Sequence, residues 1–544
     1  MADPELILTN GRVYTVDPRR SEAEAVVVRH GRIAAVSTAT EALAQRGPQT
    51  RVVDLDGRLV LPGFIDAHMH PMGALSDLYE PSLRGVRTVD ECLDRVAAFL
   101  AEHPGTPFVT GWSWSTALLD EAELTAERLD RVVPDRPAVL YDEGGHTVWV
   151  NGATLKSADV SASAPDASGI LREGAISLIE RALPRRPVSE CSEGLLHFQR
   201  DVAAPFGLTT VQESVVRPGD PLLEAYEELQ ARAELTMRTC VSLWVEEDLP
   251  LRDQLAALAA ERSRHSGPLV RAGCAKFFAD GVVEGHTAYL HDDYADRPGY
   301  RGEPIWPADH LAEASAAAAK AGFQLHYHAI GDAAVGAALD AIAFARRAVD
   351  PPPARSLVTH LQLVDPADIQ RMAELDVVAL PQPYWFAKDD MYHEVQVPYL
   401  GQPRADVEYP MRSLWGHGVR VASASDYPVV ASPDPIRGIR HGALRSSPEA
   451  GDSESDALWP EERVTVVQMI ESFTINGAYA NFLEDETGSI EVGKSADLVV
   501  LSDDILELGP RRISEARVLL TLFRGMPVHA EPPFDAIREG ETPA

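Results

Sequence analysis

The sequence predicts an α/β protein: a TIM-type (β/α)8 barrel, a small β-sandwich composed from both chain ends, and an insertion after the first barrel strand. Three observations point there. Short apolar runs alternate with Ala-rich stretches of helical period through the middle of the chain, the pattern of a parallel sheet joined by helices. Both ends read instead as short strands separated by turn pairs. Histidines, a lysine and an aspartate recur where the central apolar runs stop, which is where barrels carry their chemistry.

The first 60 residues supply strand candidates at 5–9, 12–15, 25–29, 32–36 and 51–54, broken at Asn10-Gly11 and His30-Gly31. The C-terminal part repeats the style at 497–501 and 518–523, with Arg524-Gly525 turning into Pro527-Val528. Neither piece buries a core alone, so residues 1–60 and 485–544 are expected to form one composite domain. Residues 61–484 are expected to form the barrel, with strands at 63–68, 209–213, 236–243, 272–279, 323–328, 357–360, 377–380 and 419–424. Helices are expected at 308–321, 333–349, 366–374 and 464–479. The span from 72 to 206 is too long for one connection. It holds a helix at 89–102, strands at 108–111 and 138–142, and a Gly/Ser/Pro-rich loop at 161–169, and reads as a lid over the barrel mouth. An acidic loop is expected near 449–456.

A chain of 544 residues with net charge −34 is a poor partner for nucleic acid or an anionic membrane, both of which need basic patches. No apolar run approaches the ~18 residues of a membrane span. Cys92, Cys191, Cys240 and Cys274 lie far apart without Cys-x-x-Cys spacing, and the N-terminus shows no signal-peptide pattern. A reduced, cytoplasmic protein is the expectation, acting on a small molecule, alone or as a homodimer.

The chemistry begins in Pro62-Gly63-Phe64-Ile65-Asp66-Ala67-His68-Met69-His70. Side chains two apart on a strand share a face, so His68 and His70 can meet one ion. Strand four carries Lys276, strand five ends in His326-Tyr327-His328, strand six in His360, and strand eight in Ser425-Asp426. His326 and His328 share a face; His328 stands at the strand end and is taken as the ligand, with His326 as a hydrogen-bonded wall residue. An ammonium among metal ligands repels cations, so Lys276 is either carbamylated by CO2 into a bridging carboxylate or an unmodified lysine paired with a neighbour such as Asp280.

These pieces, with Lys276-Phe277-Phe278-Ala279-Asp280-Gly281, His328-Ala329-Ile330-Gly331-Asp332, His360-Leu361-Gln362-Leu363, Ser425-Asp426-Tyr427-Pro428 and the closing Gly493-Lys494-Ser495-Ala496-Asp497, resemble the amidohydrolase superfamily. Within it the chain is similar to amidohydrolase family 3, the YtcJ-like branch that includes N-substituted formamide deformylases. The resemblance implies ligand roles for His68, His70, Lys276, His328, His360 and Asp426, around one or two divalent metal ions, zinc first. One departure falls in the lid: Gly111-Trp112-Ser113-Trp114 is followed by Ser115 where the branch usually has an aspartate.

The implied reaction is hydrolysis of a C–N bond (amide, formamide or carbamate) by a metal-activated water. Asp426 would be general base and then acid, with His360 and His286 as further catalytic groups and His146 as a second candidate beside the oxyanion. Trp112, Trp114, His146, Trp149, Phe278, Gln362, Tyr384 and Trp385 are the expected substrate pocket, suited to an apolar or aromatic group. The rival readings are an esterase or lactonase on the same centre, and a metal-dependent decarboxylase or isomerase.

Overall fold

The computed structural model describes residues 3–19, 21–115, 123–158, 169–447 and 456–537. The Gly/Ser/Pro-rich stretch 161–168 and the acidic stretch 449–455 lie outside the described residues.

Eight parallel strands form the barrel: β1 Phe64–Met69, β2 Leu208–Val216, β3 Arg238–Trp244, β4 Val270–Phe278, β5 Gln324–Ala329, β6 Leu357–His360, β7 Val378–Leu380 and β8 Arg420–Val421. They pair in sequence order. Backbone bonds from β1 to the extended chain after β8 close the ring: Ala67 N donates to Ser423 O (3.2 Å) and Asp426 N to His68 O (2.8 Å). Beyond β8 the chain stays bonded to its neighbour, Ala422 N donating to Ala379 O (2.9 Å) and Ala424 N to Pro381 O (3.1 Å), before it turns at Asp426, whose φ is +61°. Gly63 opens β1 because a Cβ there would stand 2.4 Å from Thr209 Oγ1.

Period-two alternation sorts each strand between the barrel interior and the helices. On β5, Gln324, His326 and His328 share one side, while Tyr327 turns outward and donates its hydroxyl to Ser315 Oγ (2.7 Å) on helix Ala308–Lys320. That helix buries Leu311, Ala314, Ser315 and Ala318, the i, i+3, i+4, i+7 stripe of a surface helix. Helices Asp332–Ala348 and Pro366–Glu374 follow β5 and β6 as expected. The single helix expected over 464–479 is two, Val466–Ser472 and Ile475–Ala480. The carbonyls at the break serve the barrel: Phe473 O accepts from Ile65 N (2.7 Å) and Ser472 O from Ser423 N (3.1 Å).

Two further sheets combine the chain ends. One holds Leu6–Thr9, Ala25–Arg29, Arg32–Ser37 and Arg51–Asp54; the other joins Arg12–Tyr14, Glu22–Ala23 and Leu59–Pro62 to Leu498–Leu501, Val518–Phe523 and Met526–Ala530. Leu6, Leu8, Val26 and Val28 meet Val60, Leu498, Val500 and Leu520 in their shared core. Asp497 ties this sandwich to the barrel, paired with the buried Arg238 at the start of β3 and accepting from Thr487 Oγ1 (2.9 Å) and Arg524 N (2.9 Å).

The insertion folds around its own four-stranded sheet of Val109–Trp114, Ala138–Asp142, Thr147–Val150 and Ile170–Arg172, with helix Val89–Glu102 on one face. No helix among the described residues is long and apolar enough to cross a membrane.

Candidate metal centre

The strand-end residues converge at one rim of the barrel. His68, Lys276, His326, His328, His360 and Asp426 are all buried, with Lys276 and His326 fully enclosed; His70 is half-buried. Ligand atoms of His68, His360 and Asp426 all lie within 4.8 Å of one another. Asp426 Oδ1 is 3.2 Å from His70 Nε2 and 3.4 Å from His68 Nε2. The His328 ring centroid lies 4.4 Å from that of His360. His360 and Asp426 both hold positive φ, +74° and +61°, a costly backbone state for such residues that clusters at functional sites.

The surrounding residues determine which nitrogen of each imidazole carries the proton. The Gln382 amide donates to Thr359 Oγ1 and Leu380 O (both 3.1 Å), so its Oε1 accepts from His360 Nδ1 (3.1 Å) and the lone pair of His360 sits on Nε2. His328 Nε2 donates to Gly281 O (3.1 Å), which leaves Nδ1 bare. Asp66 accepts from His68 N (3.2 Å) and Ser425 N (3.1 Å), locking the end of β1 to the chain after β8. Asp280 accepts from Ile330 N, Gly331 N and Tyr289 N at 2.8–3.0 Å and so shapes the turn beyond His328.

Burial holds His68, His326 and His328 well below the ordinary histidine range, with the Lys276 charge adding to it, and pulls His360 down to about 3. Burial also brings the Lys276 ammonium down to about 7, against the attraction of Asp426. For Asp426, burial acts to raise the carboxyl, but the His70 hydrogen bond and the charges of His360 and Lys276 outweigh it and hold it below the usual value. Neutral imidazoles with bare lone pairs beside an anionic carboxylate are the donor set that divalent first-row cations take.

Above this cluster opens a cavity of about 930 Å³. Trp112, His146, Phe278, Gln362, Tyr384 and Trp385 line it. Trp112 stacks on Tyr141 with centroids 4.1 Å apart. The Glu173 carboxylate at 3.0 Å, with Asp142 and Glu284, overcomes the opposing effect of burial and lifts the His146 imidazole to about 9.

Three expected site residues lie elsewhere. Trp114 and Trp149 pack in the insertion's own core, their indole N–H groups donating to Leu140 O (2.8 Å) and Thr125 O (3.0 Å). Trp112 and Trp114 would share a face of a regular strand, but Ser113 has φ +75° and the ladder to Tyr141 and Asp142 slips there, sending the two indoles to opposite sides. His286 does not line the cavity. Its loop closes on itself through Gly281 N to Thr287 O (3.0 Å), and the ring bonds Asp296 (2.8 Å) against Tyr399.

Sequence reasoning also missed lining carboxylates: Glu143, Glu284 and Asp389 all face the cavity, and burial raises each of them. Glu143 sits between a strand and a Gly-Gly pair, a visible signal; the other two lie in loops that nothing local assigns to the site.

A sequence model of the amidohydrolase family matches residues 51–529. The chain belongs to the amidohydrolase family. Among amidohydrolases it is similar to the putative amidohydrolase YtcJ of Bacillus subtilis, 28% identical over 541 residues covering 95% of this chain and 98% of that one. It is also similar to the N-substituted formamide deformylase of Arthrobacter pascens, 28% identical over 552 residues and covering 96% and 98%. An uncharacterized metal-dependent hydrolase from Pyrococcus furiosus superposes with a TM-score of 0.70 at 25% identity, covering 92% of this chain and all of that one. Family and fold together make the protein a metal-dependent hydrolase.

Proposed function

We propose that the protein hydrolyses a non-peptide C–N bond of a small molecule, an amide, formamide or carbamate, at a divalent metal held by His68, His70, Lys276, His328, His360 and Asp426. The observation carrying this is the meeting of His68, His360 and Asp426 ligand atoms within 4.8 Å at the barrel rim. Zinc suits the histidine nitrogens and carboxylate oxygen, in one or two sites. The formamide deformylase among the relatives supports the choice of bond. Lys276, whose amine is readily neutral at about 7, is suited to carbamylation. The same proposal divides the chain into residues 1–60 plus 485–544 and the barrel unit 61–484.

When bound, the metal supplies an acidified water and polarises the scissile carbonyl. Asp426, already hydrogen-bonded to His70, accepts the water proton on its carboxylate and returns it to the leaving nitrogen. Glu173 occupies Nδ1 of His146, so Nε2–H of that cationic ring is the donor available to the oxyanion. Trp112 and Trp385 flank the organic group, while Gln362, itself donating to Glu408 (2.8 Å), offers a polar contact.

A panel of amides, formamides, carbamates and esters assayed in 18O-water tests the reading. Label should enter the acid product. Asp426→Asn, which keeps a residue tolerant of positive φ, should lower turnover per bound metal by about 10²–10⁴. Unlabelled acid from an amide or formamide, or undiminished turnover in the variant, would overturn it.

A further inference from the structure

His326 is fully enclosed, and no step above uses it. Its Nε2 lies 3.1 Å from His68 Nδ1 and 3.5 Å from Lys276 Nζ; its Nδ1 lies 2.8 Å from Ser242 Oγ. Ser242 in turn accepts from Gln212 Nε2 (2.8 Å), and both are fully buried. The four side chains form a line across the barrel interior that ends at the metal-facing histidine.

A neutral imidazole has one N–H and one lone pair. On the metal-centre reading His68 turns a bare Nε2 toward Asp426 Oδ1 (3.4 Å), so its Nδ1 donates to His326 Nε2 (3.1 Å) and makes that nitrogen the acceptor. Nδ1 then carries the proton and donates it to Ser242 Oγ, whose two lone pairs accept from both His326 and Gln212. The serine hydroxyl proton then points away from both of these partners. One proton thus serves each contact, from His68 to His326 and from His326 to Ser242, while Lys276 Nζ stays 3.5 Å from a nitrogen whose lone pair is already used.

We propose that His326 is a positioning residue: it fixes His68 as the Nδ1–H tautomer, so that Nε2 faces the shared cation. The inference rests on the metal-centre reading above. It explains why β5 carries two histidines on one face, with His328 at the rim and His326 one layer deeper, its Nε2 already engaged.

Partners one layer behind a metal ligand commonly govern 10–100-fold in affinity. The test is zinc affinity by chelator competition and ion count per chain, for wild type, His326→Phe and His326→Gln. Phe keeps the bulk without an acceptor, whereas Gln restores an oxygen near the Nε2 position. The expected result is 10–100-fold weaker zinc in His326→Phe, with most of the loss recovered in His326→Gln. Wild-type affinity in a folded His326→Phe, or equal losses in both variants, would overturn the positioning role while leaving the metal centre standing. A wild type that binds no zinc would instead sink the reading beneath it. Should His326→Phe fail to fold, Ser242→Ala, which cuts the line at its far end, carries the same expectation of weaker zinc, and unchanged affinity there would refute it.

Discussion

Removing the Asp280 carboxyl should cost the fold more than any single surface charge. The side chain is fully buried after β4, and its two oxygens accept three backbone N–H groups: Ile330 (3.0 Å) on Oδ1, Gly331 (2.8 Å) and Tyr289 (2.9 Å) on Oδ2. Those donors belong to the turn after His328 and to the loop that crosses it. Asp280→Ala leaves all three donors buried without a partner. Hydrogen bonds to a full carboxylate contribute roughly 1.5–3 kcal/mol each, but burial pushes this carboxyl up to about 7, so it is only partly charged near neutrality. The expected loss is therefore about 3–5 kcal/mol, the range found when a buried polar network loses a member. Asp280→Asn can keep its oxygen on Gly331 and Tyr289 but presents an amide N–H to Ile330 N–H, so it should lose about 1–3 kcal/mol. Urea unfolding followed by circular dichroism, comparing midpoints at matched slopes, reads both values. An alanine variant within about 1 kcal/mol of wild type would refute the reasoning, since three orphaned donors cannot be that cheap.

Two further outcomes follow from the charges around the site. The His146–Glu173 pair holds the imidazole at about 9, above its unfolded value near ~6.5, so its stabilisation is complete below pH ~6.5 and is lost as pH rises through about 9. Glu173→Gln should accordingly be destabilised at pH 6.5, on the order of 1–3 kcal/mol, and nearly match wild type at pH 10; a pH-independent difference would contradict this. Lys276, brought to about 7, is mostly neutral at pH 7.5, where an amine at its ordinary value would be neutral in only about one molecule in 10³. 13C-bicarbonate should therefore produce a carbamate resonance in wild type that is missing from Lys276→Ala, and a spectrum without that resonance would leave Lys276 an unmodified amine.

Much of the barrel was legible because its signals are local. The run 357–360 is apolar and ends in His360, and β6 occupies those residues; period-two alternation also put His326 and His328 on one face of β5. The sandwich could be anticipated because neither end carries enough apolar surface to stand alone, and Leu498–Leu501 does pair with Leu59–Pro62. What escaped the sequence depends on geometry that no short window contains. A single positive φ at Ser113 reverses Trp114, and carbonyls recruited by Ile65 and Ser423 split one helix into two. His286 is expected at the site, but its ring bonds Asp296, ten residues on, in a loop closed on itself. His326 reads as a hydrogen-bonded wall residue; only the closed barrel lines it up with Ser242 and Gln212 behind His68.

Metal analysis of the purified protein, joined to anomalous diffraction at the metal edge, tests the central claim most directly. The account predicts at least one divalent ion per chain, bonded at roughly 2.0–2.2 Å to His68, His360 and Asp426. A protein that stays metal-free after zinc supplementation and dialysis, or an ion bound away from those three side chains, would contradict it.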